Sequence, residues 1–175
     1  MSALPVPVRI TRLETDRLPA RRVPVPSGMR LSLMRVDPVP PAFYRFLYEQ
    51  VGRAHHWQAH RALDDEAIAD LFSGNGAAQL HVLSVDGAPG GFFEILMNAA
   101  SGVTDIVHFG LMAHVQGRGL GRWLLAEAIA AASAAGARRV GIETNTLDHP
   151  RALRLYQKAG FAPVSWREAD VVPWD

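Results

Sequence analysis

The sequence predicts an α/β domain folded around one mixed β-sheet, and three observations carry that expectation. Residues 80–85, 91–97 and 104–112 are short strand-like runs separated by turn residues, the pattern of an antiparallel meander. After them the chain alternates: a glycine-rich turn, a long helical stretch, a strand, a short helix and a last strand, which is the rhythm of βαβ units. The composition is that of a single globular unit, with 175 residues, 49% apolar and 20% charged.

Taken in order, residues 1–28 carry Pro5, Pro7, Pro19, Pro24 and Pro26. Each proline fixes φ and removes a backbone donor, so this segment is expected as an arm or an edge strand, with the folded domain spanning 29–175. Residues 30–36 alternate around Leu31, Leu33 and Met34 as a half-buried strand. Phe43, Phe46, Leu47 and Val51 recur at helical spacing behind Pro40 and Pro41, which suit a first turn. A second helix starts at Asp64, where Asp64-Asp65-Glu66 offers a cap and negative charge to the positive end of the dipole, and stops at Ser73-Gly74-Asn75-Gly76. The strands at 80–85 and 91–97 are joined through Asp86-Gly87-Ala88-Pro89-Gly90. Residues 119–135 form a helix with Leu125, Ala128, Ile129 and Ala132 on one face and Gly136 just past its end. A strand at 138–144, a helix at 150–159 and a strand at 161–166 complete the reading. Trp123 and the alanine-rich face beside it are expected to pack helix against sheet.

The formal charge of +1 gives no field of one sign for nucleic acid or a membrane surface, and no run of about 18 apolar residues occurs. The expectation is a cytoplasmic protein acting on a small molecule or peptide. The chain has no cysteine, which removes disulfides, thiolate metal sites and a cysteine acyl-enzyme.

Gln116-Gly117-Arg118-Gly119-Leu120-Gly121-Arg122 lies between a strand and a helix, where the first helical N–H groups have no internal partner. Glycines let a bulky phosphate approach, the dipole adds partial positive charge, and Arg118 and Arg122 add full charges. A pyrophosphate is the natural ligand. The triphosphatase loop Gly-x-x-x-x-Gly-Lys-Ser/Thr is absent, and the dinucleotide fingerprint fails because its third glycine falls at Arg122. Glu143, at the end of the next strand, imitates a ribose-binding acid and keeps a nicotinamide enzyme as an alternative.

Gln116, Gly119 and Gly121 match the cofactor loop Gln/Arg-x-x-Gly-x-Gly/Ala, and residues 151–161, Arg-Ala-Leu-Arg-Leu-Tyr-Gln-Lys-Ala-Gly-Phe, match Ala-x-x-Leu-Tyr-x-x-x-Gly-Phe. With these two spaced motifs the chain resembles the GNAT superfamily of N-acetyltransferases, over about residues 82–164. It departs at His149, where many members carry asparagine. The resemblance implies a single-domain GNAT-like fold with helices on both faces of the sheet. It also implies direct transfer of an acetyl group from acetyl-CoA to an amine in one ternary complex. Phe109, Gly110 and Leu111 would pair their backbone with the pantetheine arm, while Gln116, Gly117, Arg118, Gly119, Leu120, Gly121 and Arg122 would hold the pyrophosphate. Tyr156 matches the tyrosine that commonly protonates the departing thiolate. Tyr48 and Trp57 fall where the fold places acceptor-facing loops. An acyl-CoA-binding sensor without acceptor chemistry is the remaining reading, and a homodimer is expected from the frequency of symmetric oligomers.

Two candidate bases come from the residues themselves. Glu94 is the one charge in Phe92-Phe93-Glu94-Ile95-Leu96 and shares a face with Phe92 and Leu96; in apolar surroundings it would accept an ammonium proton, and near the sheet edge it would simply be solvated. His108 brings an imidazole, the side chain suited to proton transfer near neutral pH, to a strand that leads into the cofactor loop, or it is a satisfied structural histidine. His56 and His60 have helical metal spacing, but without the Glu of His-Glu-x-x-His or a third ligand no metal site is assigned. Asp148-His149 lacks a nucleophile elbow and is read as a local cap.

Overall fold

The computed structural model describes residues 4–18, 22–74 and 78–174. Pro19, Asn75 and Gly76, named above, lie outside them. The strands form one seven-stranded sheet in the order β2-β3-β4-β5-β6-β1-β7. They are β1 Val6–Thr15, β2 Leu31–Val36, β3 Gln79–Val85, β4 Ala88–Asn98, β5 Val103–Leu111, β6 Arg139–Asn145 and β7 Ala162–Val171. The helices are α1 Pro41–Gly52, α2 Asp65–Leu71, α3 Leu120–Ala134 and α4 Ala152–Lys158. Only β5 and β6 run parallel, joined through α3; the other neighbours are antiparallel.

Local chemistry sets these boundaries. β3 turns into β4 at Asp86 and Gly87, whose φ values of 53° and 96° give the left-handed pair that a two-residue hairpin matched to strand twist requires. The Asp64 carboxylate caps α2 by accepting from Ala67 N at 2.8 Å. α3 begins after Gly119 (φ 80°) and is followed by Gly136 (φ 92°).

The sheet is covered on both faces. One core gathers Phe93, Ile95, Ile106, Leu124, Leu125, Ile129 and Tyr156 under α3 and α4; the other gathers Tyr44, Leu47, Tyr48, Ile68, Leu80 and Phe92 under α1 and α2. Each fully buried aliphatic side chain contributes about 1.5–3 kcal/mol. The buried face of α1 is rotated from the one expected: Tyr44, Leu47, Tyr48 and Val51 point in, while Phe46 is 44% exposed. The tyrosines can turn inward because their hydroxyls find polar partners there.

The N-terminal segment also differs from expectation. Val6–Thr15 is neither an arm nor an edge strand; it lies between β6 and β7 and pairs with both. Its one proline, Pro7, is tolerated because pairing with β6 begins only at Ile10, leaving β7 as the sole neighbouring strand there. β7 is correspondingly longer than expected, reaching Val171 opposite Val6.

Candidate active site

Three features of β5 create a cleft. Its pairing with β6 ends at Ile106 opposite Ile142, so residues 107–111 have no strand partner on that side. Glu94 lies opposite His108 and Ile95 opposite Ile106, so Val107 is the extra residue of a β-bulge. Gly110 lets α1 approach, since a Cβ there would collide with Val51 Cγ1. The resulting cleft has a volume of about 820 Å³ and runs from Trp57 and His108 past Tyr156 to the glycine-rich loop.

The loop turns on Gly117 (φ 75°) and Gly119 (φ 80°), and a Cβ at either would meet nothing within 4 Å, so both face open space. The Gln116 side chain donates to Leu111 O at 3.0 Å, pinning the loop to the end of β5. Gln116, Gly117, Gly119, Leu120, Gly121 and Arg122 line the cleft together with Phe109, Gly110 and Leu111. Arg122 has no ion-pair partner among the described residues. Arg118 does not line the cleft and lies 3.7 Å from Asp86. Glu143 is held by Arg167 through two contacts of 2.8 and 2.9 Å, the geometry of a structural ion pair.

At the other end of the cleft four side chains from four segments meet. Glu94 on β4 is 1% exposed. Its Oε2 accepts from the Tyr44 hydroxyl at 2.6 Å and lies 2.9 Å from His108 Nδ1; His60 Nδ1 is 2.6 Å from the same hydroxyl. The ligating atoms of His60, Glu94 and His108 lie within 4.8 Å of one another. Within that trio His108 Nδ1 lies 2.9 Å and His60 Nδ1 3.7 Å from Glu94 Oε2, and the Tyr44 hydroxyl, 2.6 Å from both Glu94 and His60, links them into one hydrogen-bonded network. Burial pushes the Glu94 carboxyl up, but the hydrogen bond and charge of His108, the charge of His60 and the Tyr44 hydroxyl outweigh it and leave the group below its ordinary range. Burial lowers His60, only partly countered by Glu94. Burial, reinforced by Glu94, raises the Tyr44 phenol far above its usual value.

His108 lines the cleft and Glu94 does not. Trp57 lines it too, with its ring 4.9 Å from that of His108. Tyr48 sits behind them, 3% exposed and off the cleft wall, its hydroxyl accepting from His60 N at 3.1 Å and its ring edge-on to Trp57. Burial raises its phenol to about 12. Tyr156 on α4 is 6% exposed, lines the cleft and is held high by burial and by the Asp148 charge. His56, in a left-handed conformation and not on a helix with His60, accepts from Trp174 N at 2.9 Å. Asp148 Oδ2 ties the end of β6 by accepting from Thr144 Oγ1 and Asn145 N, and His149 Nδ1 accepts from Arg151 N at the start of α4.

The sequence model described as "Acetyltransferase (GNAT) family" matches residues 43–161, the stretch from α1 to the start of β7. The chain belongs to the GNAT family. No curated protein matches it by sequence. Among solved structures, a GCN5-related N-acetyltransferase from Sphaerobacter thermophilus superposes with a TM-score of 0.65 at 18% identity, covering 98% of this chain and 54% of that one. The corresponding protein from Kribbella flavida gives 0.65 at 16%, covering 99% and 61%. This chain thus spans little more than half the length of those two GNAT proteins. An aminoglycoside acetyltransferase from an uncultured soil metagenomic sample, in complex with sisomicin, gives 0.58 at 18% over 74% of this chain and 87% of that one. These likenesses establish the fold, and the family match places the chain in the GNAT acetyltransferase family, for which the implied cosubstrate is an acyl-CoA.

The residues fit such a group. The glycine positions are open where a phosphate would come, the free strand edge of β5 faces the cleft, and the volume falls within the roughly 300–1,000 Å³ of small-molecule and cofactor sites.

Proposed function

We propose that the protein is an N-acetyltransferase that passes an acetyl group from acetyl-CoA directly to an amine while both are bound. The observation that carries this reading is the continuity of one cleft from the glycine loop, past the Tyr156 side chain, to the His108 ring. Acetyl-CoA supplies the thioester carbonyl that an amine attacks. The N–H groups around Gly119 and Gly121 and the unpaired Arg122 cation hold its pyrophosphate, and the diverging backbone of residues 107–111 holds its arm.

His108 is the base. It has the cleft-facing surface that Glu94 lacks, and the buried carboxylate orients it through Nδ1 and stabilises the imidazolium formed when it removes the ammonium proton. Tyr156 remains protonated across the physiological range, as an acid for the leaving thiolate must. Trp57 forms the wall against the acceptor, with Tyr48 supporting it from behind.

Thiol release from acetyl-CoA across a panel of amines, aminoglycosides included, tests the reading. Tyr156→Phe is expected to keep acetyl-CoA affinity and lower kcat by about 10²-fold. Undiminished kcat would remove Tyr156 from the chemistry, and acetyl-CoA binding with no turnover of any amine would make the protein a sensor.

A further inference from the structure

Tyr44 and His60 take no part in the account above, yet they complete the cluster around Glu94. α1 brings Tyr44, the segment after α1 brings His60, β4 brings Glu94 and β5 brings His108. The direction of every hydrogen bond follows from one fact: a carboxylate only accepts. His108 must therefore donate Nδ1–H to Oε2 at 2.9 Å, and the Tyr44 hydroxyl spends its proton on the same oxygen at 2.6 Å. The phenol oxygen is left to accept, so His60 donates its own Nδ1–H across 2.6 Å. The titratable groups around His108 are then Glu94 from β4, Tyr48 from α1 and His60, whose ring lies 4.6 Å from its own, with Tyr44 reached through Glu94.

We propose that Tyr44 and His60 are positioning residues which, acting through Glu94, fix His108 with its lone pair on the cleft-facing Nε2 and limit how strongly the carboxylate holds the imidazolium. The inference rests on the reading of His108 as the base. Two donors share one oxygen, so negative charge drawn toward Tyr44 is withheld from His108. His60 strengthens the effect, because a phenol that accepts a hydrogen bond donates a better one. Without the second arm Glu94 would stabilise the charged imidazole more, and His108 would stay protonated to higher pH, where it cannot take a proton from an amine. Hydrogen-bond spacing alone fits a structural polar cluster equally well, but such a cluster carries no directional effect on His108.

The test is 15N NMR of histidine-labelled full-length protein, titrated through neutral pH, with kcat/KM followed over the same range. Wild-type His108 is expected as the Nδ1–H tautomer. Tyr44→Phe should raise its protonation midpoint by about half to one unit, and Glu94→Gln should lower it. His60→Ala should move it in the same direction as Tyr44→Phe, while His60→Asn, which keeps an N–H donor at similar reach, should restore it. An Nε2–H tautomer in the wild type, or a midpoint that Tyr44→Phe and His60→Ala leave unmoved or lower, overturns the proposal. If the midpoints move as expected while the kcat/KM limb does not follow, the network stands and the assignment of His108 as base falls.

Discussion

Glu94 shows how a charge survives at 1% exposure in the middle of a sheet. The cost of burying it is offset by two direct donors, His108 and Tyr44, and by the nearby His60, so it stays ionised without reaching the cleft. The sequence left two outcomes open, because a lone charge within an apolar strand must either find partners or face water. Its partners were not legible. Tyr44 lies 50 positions away, and the spacing of Phe43 and Phe46 suggested a different buried face for α1. His60 drew notice only through a spacing to His56 that the chain does not realise on a helix. The glycine loop offers a clean separation of fold from function. A Cβ on Gly121 would lie 3.7 Å from Leu155 Cδ2, an ordinary contact, so Gly121→Ala should leave the melting temperature unchanged or raise stability by up to about 1 kcal/mol. On the proposed reading the same methyl would intrude where the helix N-terminus receives the phosphate, so calorimetry should show weaker acetyl-CoA binding. Unaltered affinity would mean that the phosphate does not approach that turn.

At the scale of elements, β5 carries the site because it does two things at once: it bulges at Val107 and it leaves β6 after Ile106. Neither event is visible in the sequence, since both depend on the register of neighbouring strands. The β3–β4 hairpin and α3 were legible because their signals are local, in Asp86-Gly87 and in Gly119 and Gly136. β1 was obscured by Pro7 and the prolines around it, and the penalty of Pro7 vanishes where only one neighbouring strand is present. β3 carries a further liability. His81 stacks on Phe93 at 4.6 Å, its Nδ1 is buried without a partner, and burial together with the Arg35 charge lowers it to about 4. The unfolded chain takes up this proton near pH 6.5 and the folded chain does not, so stability falls as pH drops from about 6.5 toward 4. Thermal melts at pH 7 and pH 5 should therefore differ less in His81→Leu than in the wild type. An equal difference in both would show that His81 is protonated in the fold without penalty.

For the whole molecule, two cores pressed on opposite faces of one sheet leave a single seam where its parallel pair separates, and the cleft follows that seam. The family match covers residues 43–161, which include β5, the glycine loop and Tyr156, so the cofactor half of the cleft lies within the stretch shared with the family. β1 and the tail carrying Trp174 lie outside it. The tail returns to the Trp57 end of the cleft, where the Trp174 indole N–H donates to Trp57 O at 2.9 Å and Arg61 stacks on the ring. The most direct test of the central claim needs no acceptor: the melting temperature of the purified chain with acetyl-CoA, with CoA and with NAD. A ligand at about 100 times its Kd stabilises by about 2.7 kcal/mol, or about 5–10 °C for a chain of this size. The account predicts that rise with acetyl-CoA and CoA and none with NAD; a rise with NAD alone, or with none of the three, would contradict it.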